Sequence, residues 1–188
     1  MVRDLVVTFR DVVRLHAPRL NSLNVYPVPD GDTGTNMART LDAVVAEIDG
    51  ADDGDPDELY RAISHGSLMG ARGNSGVILS QILRGIASTF GSRSDESDLV
   101  DAAAFAEALQ NASDGAYQAV LNPIEGTILT VVRESAAAAR VAVDEGHALS
   151  EVISSAHRRA NEALEHTPDL LEVLREAGVV DAGGAGFV

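Results

Sequence analysis

Apolar residues recur at intervals of three and four along most of the chain, which is the spacing of one face of an α-helix. The clearest stripe lies in residues 35–48, where the apolar positions are Met37, Leu41, Val44, Val45 and Ile48. The same spacing predicts seven further helices, at about 4–17, 56–69, 75–90, 101–121, 127–145, 149–165 and 168–177. No segment has the alternating pattern of a strand, so the pattern predicts an all-α fold.

Glycine, proline and capping residue types mark the ends of several predicted helices. Pro56 suits a first helical turn, and Gly178 suits the position just after a last turn. Thr127 is a plausible N-cap of its helix. Gly70–Asn74 reads as a turn, with Ser75 as the cap of the helix that follows.

The loop between the first two helices carries the strongest candidate chemistry. Asp30 and Asp32 flank a single glycine, and carboxylates bind a hard cation such as Mg²⁺. A helix then opens with N-cap residue types, and free N–H groups at such a start bind phosphate. The residues that open it are Thr33, Gly34, Thr35 and Asn36. The stretch predicts a metal–nucleotide site; the alternative is a capped turn with solvated aspartates.

A second glycine-rich loop, at 70–76, resembles a phosphate-binding arrangement because Asn74, Ser75 and Gly76 open another helix. It lacks the Gly-Lys-Ser/Thr of a Walker A loop, and it also fits a helix cap or a close helix crossing. Arg72 either stabilises the charge of a transferring phosphate or pairs with a loop aspartate. Gly34 and Gly76 are predicted to let phosphate approach the backbone, the alternative being packing inside the protein.

Composition limits the function. The 188 residues suit one domain, and the net charge of −15 argues against a nucleic-acid partner or an anionic membrane surface. There is no cysteine and no apolar run of about 18 residues. These features, and the lack of a signal-peptide layout, predict a soluble cytoplasmic protein rather than an integral membrane protein. The acidic residues of 52–57 and around Asp95–Asp98 are expected to be solvated loop charges.

Four motifs in order resemble one known family. They are LNVYPVPDGDTGTNM at 23–37, GSLMGARGNSGVILSQILRG at 66–85, EGTILTVVRE at 125–134 and VVDAGGAGFV at 179–188. Together they are similar to the nucleotide-binding domain shared by the dihydroxyacetone kinase L subunit and the kinase subunit of bacterial fatty acid kinase. The amino-acid sequence of the first motif is closer to the fatty acid kinase branch.

This resemblance implies an eight-helix antiparallel barrel that binds ATP or ADP with two Mg²⁺ ions in loops at one end. It implies metal ligands at Asp30, Asp32 and Asn24, although the dihydroxyacetone kinase relatives have a third aspartate where Asn24 stands, and Asn24 also fits a turn-former. Asp30, Asp32 and Arg72 are the implied catalytic residues. The implied nucleotide contacts are Thr33, Gly34, Thr35, Asn36, Asn74, Ser75, Gly76, Thr127, Leu129, Asp181, Ala182 and Gly183.

Leu129 and the C-terminal contacts Asp181, Ala182 and Gly183 have an alternative that the residues themselves suggest. Leu129 fits a core-facing position as well as a position near the base. Without the family, the glycine-rich run after Gly178 would read as a flexible tail.

The implied activity is transfer of the γ-phosphate to a fatty acid carboxylate, presented by a separate fatty-acid-binding protein, to give an acyl phosphate. The alternatives are a dihydroxyacetone kinase L-type subunit and a non-catalytic nucleotide-binding regulatory module. Related kinase chains continue past this point, so residues 1–188 are expected to be the N-terminal domain of a longer, homodimeric protein. We expect the domain to bind nucleotide but to turn over poorly without the downstream chain.

Overall fold

The computed structural model describes residues 2–52, 55–92 and 100–188, and every regular element in these ranges is a helix. The helices are α1 (Val2–Leu23), α2 (Thr33–Ile48), α3 (Pro56–Gly70), α4 (Gly73–Gly91), α5 (Ala102–Gln118), α6 (Ile128–Asp144), α7 (Leu149–Glu165), α8 (Thr167–Leu170), α9 (Glu172–Ala177) and α10 (Ala182–Phe187). The predicted all-α class is confirmed. None of these helices combines the length and the apolar character needed to cross a bilayer.

The predicted count of eight helices is wrong at the C-terminal end. The segment 168–177 breaks at Leu171, which is extended with φ −129° and ψ 107°, so α8 and α9 form instead of one helix. Gly178 ends α9 in the left-handed conformation, as predicted. The chain after it forms α10 rather than a tail. The described ranges therefore contain seven helices of at least 15 residues and three short ones.

Each of the helices α1 to α7 packs against the next one along the chain. Close contacts join the start of one helix to the end of its neighbour, as between Gly34 and Ala17 and between Tyr60 and Gly91, so neighbouring helices run antiparallel. The N-termini of α2, α4 and α6 therefore lie at one end of the molecule. The predicted stripe of α2 forms the centre of the core, with Met37, Leu41, Val44 and Ile48 fully buried. The short α10 packs against α1, α2 and α6, so the end of the chain joins the start of the helix series.

Helix α1 is longer than predicted, since it continues through Pro18 to Leu23. A proline inside a helix removes one backbone hydrogen bond, yet α1 continues past this position. The last turn is stabilised by burial of Leu20 against the start of α2. The extension carries the end of α1 to the loop that holds the candidate site.

One of the acidic loop residues has a structural role. Asp55 is the N-cap of α3, and its Oδ1 accepts a hydrogen bond from the Glu58 N–H at 3.1 Å. Pro56 occupies the first helical position, as predicted. Asp53 and the segment with Asp95 and Asp98 lie outside the described residues.

Candidate functional site

The loop between α1 and α2 is organised by the buried side chain of Asn24. Its Nδ2 donates to the Val28 carbonyl at 3.1 Å and to Asp30 Oδ1 at 2.7 Å. Its Oδ1 accepts from Thr33 Oγ1 at 2.8 Å. These bonds fit the turn-forming alternative for Asn24, and its role as a metal ligand stays a prediction. The amide connects Asp30 to the first residue of α2.

Helix α2 is capped from α1 rather than from its own sequence. The N-cap position is Asp32, whose side chain makes no capping bond, so the predicted cap by Thr33, Thr35 or Asn36 is wrong. Instead, Asn21 Oδ1 accepts from the Thr35 N–H at 3.1 Å, and Asn21 Nδ2 donates to Thr35 Oγ1 at 2.9 Å. The sequence pattern gives no signal for this cap, because Asn21 lies in the preceding helix.

Helix α4 begins two residues earlier than predicted. Its N-cap position is Arg72 and its first residue is Gly73, so Ser75 lies inside the helix and is not the cap. The exposed Arg72 guanidinium donates to the carbonyls of Met69 at 3.3 Å and Ala71 at 2.9 Å. It has no ion pair with any carboxylate of the described residues, so pairing with a loop aspartate is not seen there.

The starts of α2 and α4 lie side by side. Ser75 Oγ is 3.4 Å from the Thr33 carbonyl oxygen, and the Arg72 N–H donates to Thr40 Oγ1 at 3.2 Å. A Cβ at Gly76 would lie 2.4 Å from Thr40 Oγ1, which measures how closely the two helices cross. The structure therefore brings together two glycine-rich segments whose contacting residues, Thr33 and Ser75, are 42 apart in sequence.

Amide groups surround this junction of two helix N-termini. The Asn36 side chain is buried beside Gly73, where an added Cβ would contact its Nδ2, while Asn74 is exposed. Helix N-termini carry partial positive charge and N–H groups without intrahelical acceptors. Two of them side by side form an arrangement that favours an anion such as phosphate.

Asp30 and Asp32 are the only carboxylates of the described loop before α2. Asp30 is exposed and Asp32 is half-buried, and neither pairs with a cationic side chain of the described residues. No group of three or more acidic or histidine side chains in those residues is placed to hold a metal ion. Mg²⁺ is commonly held by one or two carboxylates together with phosphate and water, so this donor set fits Mg²⁺ with a nucleotide.

The predicted cap of α6 is confirmed. Thr127 Oγ1 accepts from the Leu129 N–H at 3.3 Å and donates to the Ile124 carbonyl at 2.8 Å. The Leu129 side chain is only 2% exposed and packs in the core with Ile82 and Val132. That placement fits the core-facing alternative for Leu129, and its contact with a base stays a prediction.

Asp181 is a buried cap and not part of a flexible tail. Its Oδ2 accepts from the Gly184 N–H at 2.7 Å, and its carboxylate also accepts from the N–H groups of Gly183 and Ile128. Its own N–H donates to Thr167 Oγ1 at 3.1 Å. One side chain therefore joins the start of α10 to the start of α6.

Helix α10 extends from the start of α6 to the start of α2. Ala182 and Gly183 are buried in its first turn. At its other end, a Cβ at Gly186 would lie 2.7 Å from Met37 Sδ and 3.2 Å from Leu20 Cδ1. A six-residue helix is about 9 Å long, so the predicted contacts at Thr127 and Asp181–Gly183 lie at the same end of the molecule as those of α2.

The buried carboxyl of Asp181 predicts a pH-dependent stability. Burial raises its pKa from 3.8 to about 6, although three N–H groups oppose the shift. The folded state therefore binds a proton more tightly than the unfolded state, and the contribution of Asp181 to stability falls as pH rises from about 4 to about 7, by on the order of 3 kcal/mol. Asp181→Asn keeps an oxygen acceptor for α10 and should lose this dependence. Urea unfolding of both proteins between pH 4 and pH 7 measures this pH dependence. If the free energy of unfolding changes with pH by the same amount in both proteins, the raised pKa of Asp181 is not its cause.

A polar cluster at the start of α6 has no counterpart in the sequence predictions. Glu125 accepts from Tyr117 Oη at 3.0 Å, from Thr130 Oγ1 at 2.6 Å and from Arg133 Nη1 at 2.5 Å. Burial and the hydrogen bond to Glu125 raise the pKa of Tyr117 to about 12. Because the Glu125 carboxylate is committed to these partners, it anchors the loop before α6 and is not free to bind a cation.

Comparison with known proteins shows the family of this chain. The DAK2 domain family matches residues 27–188. A protein of Staphylococcus epidermidis and one of Staphylococcus aureus strain USA300, both named as uncharacterized proteins, are each 43% identical over 185 residues. Each alignment covers 98% of this chain but 33% of the relative, so the chain spans about a third of the length of these relatives.

An all-α domain with paired helix N-termini beside a carboxylate loop belongs to a class of protein suited to binding phosphate groups. The chain belongs to the DAK2 domain family. Members of this family are kinase-related, nucleotide-binding modules like the L subunit of dihydroxyacetone kinase.

Proposed function

We propose that this chain is an ATP- and Mg²⁺-dependent kinase domain that acts in the cytoplasm and transfers the γ-phosphate to a fatty acid carboxylate, giving an acyl phosphate. The observation that carries the proposal is the junction of the α2 and α4 N-termini beside Asp30 and Asp32. Family membership supports the kinase class. The choice of acceptor rests on the amino-acid sequence of the loop at 24–36, which resembles the fatty acid kinase branch.

In this proposal the chain's groups bind and orient the phosphates. Phosphoryl transfer depends mainly on positioning and on stabilisation of charge, so no covalent nucleophile is needed. Arg72 is exposed at the start of α4, where its guanidinium can reach transferring phosphate charge. Asp30 and Asp32 would hold two Mg²⁺ ions, which, when bound, neutralise charge on the phosphate oxygens. The phosphate contacts are the residues Thr33 and Gly34, through their backbone N–H groups, and Thr35, Asn36, Asn74, Ser75 and Gly76.

The nucleoside would extend from this junction toward the start of α6. Thr127 and Asp181–Gly183 lie on that side, and α10 links them to α2. The Asp181 side chain faces inward and caps α10, so its part in the proposal is to fix the loop rather than to contact the nucleotide. Leu129 supports the same segment from the core.

Exposed apolar side chains around the junction support an acceptor that is presented by another protein. Val28 is 57% exposed beside the aspartate loop, and Met69 is 64% exposed next to the Arg72 loop. Further exposed apolar residues at the same end are Leu68, Val77, Leu121, Ile124 and Leu170. Exposed apolar surface around a site is typical of a protein interaction surface, whereas a small ketose would not cover it. We infer that the partner is a fatty-acid-binding carrier.

Acyl phosphate formation tests the proposal. The chain, alone and joined to the C-terminal regions of a staphylococcal relative, is incubated with MgATP and oleate on a fatty-acid-binding carrier. We expect the joined protein to form acyl phosphate from oleate. We expect no dihydroxyacetone phosphate when dihydroxyacetone is supplied on its own binding subunit. Transfer to dihydroxyacetone would support the L-type subunit instead, and nucleotide binding without transfer to either acceptor would support a regulatory module.

A matched pair of valines tests the carrier surface in the same assay. Val28→Ser should raise the KM for the carrier several-fold without changing MgATP affinity, since one apolar contact is worth roughly 1 kcal/mol. Val141→Ser is the control, because Val141 is 55% exposed at the opposite end of the molecule. If the two changes raise the KM for the carrier equally, the surface around Val28 is not the carrier-binding surface.

A further inference from the structure

We propose that Asn21 is a positioning residue that makes Thr35, and not Thr33, the hydroxyl donor to phosphate. This inference rests on the proposed function, since it concerns the same phosphate site. It assigns different tasks to two threonines that the sequence pattern treats as equivalent.

The direction of the Asn21 amide follows from its partners. The Thr35 N–H is a donor only, so it faces Asn21 Oδ1, at 3.1 Å. Asn21 Nδ2 then faces Thr35 Oγ1, at 2.9 Å, and donates to it. A hydroxyl group has one hydrogen and two lone pairs. Because Asn21 occupies a lone pair of Oγ1, the hydroxyl hydrogen points away from Asn21 and is available to a ligand.

Thr33 is in the opposite situation. Asn24 Nδ2 donates to the Val28 carbonyl and to the Asp30 carboxylate, which are both acceptors only. Asn24 Oδ1 therefore faces Thr33, and the buried Thr33 hydroxyl donates its single hydrogen to it at 2.8 Å. The Thr33 side chain holds the aspartate loop together, and its hydroxyl has no hydrogen left for phosphate.

Asn21 acts through Thr35 in two ways. It accepts the Thr35 N–H, so this amide is not a phosphate donor, and it holds the side chain in one rotamer with the hydroxyl hydrogen directed away from Asn21. Thr35 is half-buried in the first turn of α2, so part of its surface is open to a ligand there. The residue that decides the phosphate contact therefore lies in the last turn of α1.

Asn21→Asp tests the inference, because it replaces the Nδ2 donor with an acceptor of nearly the same shape. The Thr35 hydroxyl hydrogen should then turn toward Asp and away from the ligand. We expect the Kd for MgATP and for Mg²⁺ with inorganic tripolyphosphate to rise on the order of tenfold or more, which is the size of one hydrogen bond to a charged group. The unliganded melting temperature should be retained, since a carboxylate still caps α2.

Three comparisons separate this effect from others. Ser22→Asp adds the same charge on the exposed neighbouring residue and should change the Kd less than about twofold. Thr35→Val itself weakens MgATP binding. When Asn21→Asp is added to Thr35→Val, the Kd should rise no further than when Ser22→Asp is added. Thr33→Val should lower the melting temperature, because Asn24 loses the hydrogen bond that holds the aspartate loop. If Asn21→Asp does not fold, the loss of tripolyphosphate affinity in Thr35→Val tests the inference by itself.

Three results would each overturn the inference while leaving the proposed function intact. The first is an equal loss of MgATP affinity in Asn21→Asp and Ser22→Asp, and the second is an undiminished effect of Asn21→Asp in the Thr35→Val background. The third is normal tripolyphosphate binding by Thr35→Val. Failure of the wild-type chain to bind either MgATP or tripolyphosphate would overturn the proposed function and this inference with it.

Discussion

Asp30→Ala and Asp32→Ala should each weaken binding of MgATP on the order of a hundredfold, while the helical fold is retained. In the described residues no group of three or more acidic or histidine side chains is placed to hold a metal ion, so each change removes one of the two loop carboxylates available to Mg²⁺. Asp30→Ala also leaves one donor of Asn24 without its partner, which costs about 1 kcal/mol of stability. Titration calorimetry with MgATP, together with circular dichroism, measures both quantities.

Asp144→Ala is the control for loss of one acidic charge. Asp144 lies at the far end of α6, where it pairs with Arg140, and its loss should leave MgATP affinity unchanged. Magnesium analysis of the purified MgATP complex counts the ions. If both loop variants bind MgATP as tightly as the wild type, the assignment of the metal site is wrong.

Gly34→Val should strongly destabilise the protein, by roughly 3 kcal/mol or more, because it overpacks a helix crossing. A Cβ at this position would lie 2.5 Å from the Ala17 carbonyl oxygen and 2.8 Å from Leu20 Cβ, so α1 itself would have to move. Gly76→Val should cost less, because its Cβ would meet the Thr40 hydroxyl, a side-chain atom. Urea unfolding, and the melting temperature with and without MgATP, test this order.

The sequence pattern predicts that these two glycines admit phosphate, and packing against other helices gives a sufficient reason for both. Gly115→Val is a suitable control, since its Cβ would lie 3.5 Å from the nearest atom, the Gln81 carbonyl oxygen, which is an ordinary contact. A Gly34→Val protein that keeps its stability but loses the MgATP-induced rise in melting temperature would restore the phosphate role of that glycine.

The features that the sequence by itself determined are those encoded within a few neighbouring residues. The apolar stripe of α2 at Met37, Leu41, Val44 and Ile48 became the fully buried face of that helix. Thr127 caps α6 and Gly178 ends α9, because caps and left-handed stops depend on residues within one turn. The family can also be read from the motif around Asp30 and Asp32, while the metal-binding role of the two aspartates stays a prediction.

Only the tertiary structure decided how these pieces meet. The cap of α2 comes from Asn21 in another helix, and the adjacency of Thr33 and Ser75 joins residues 42 apart in sequence. Helix α10 has a sequence of small residues typical of a tail, yet it is ordered because its small side chains permit close packing on α1, α2 and α6 and because Asp181 caps it. Hydrogen bonds and close contacts between distant segments leave no periodic trace in the sequence, so the arrangement of the site required the fold.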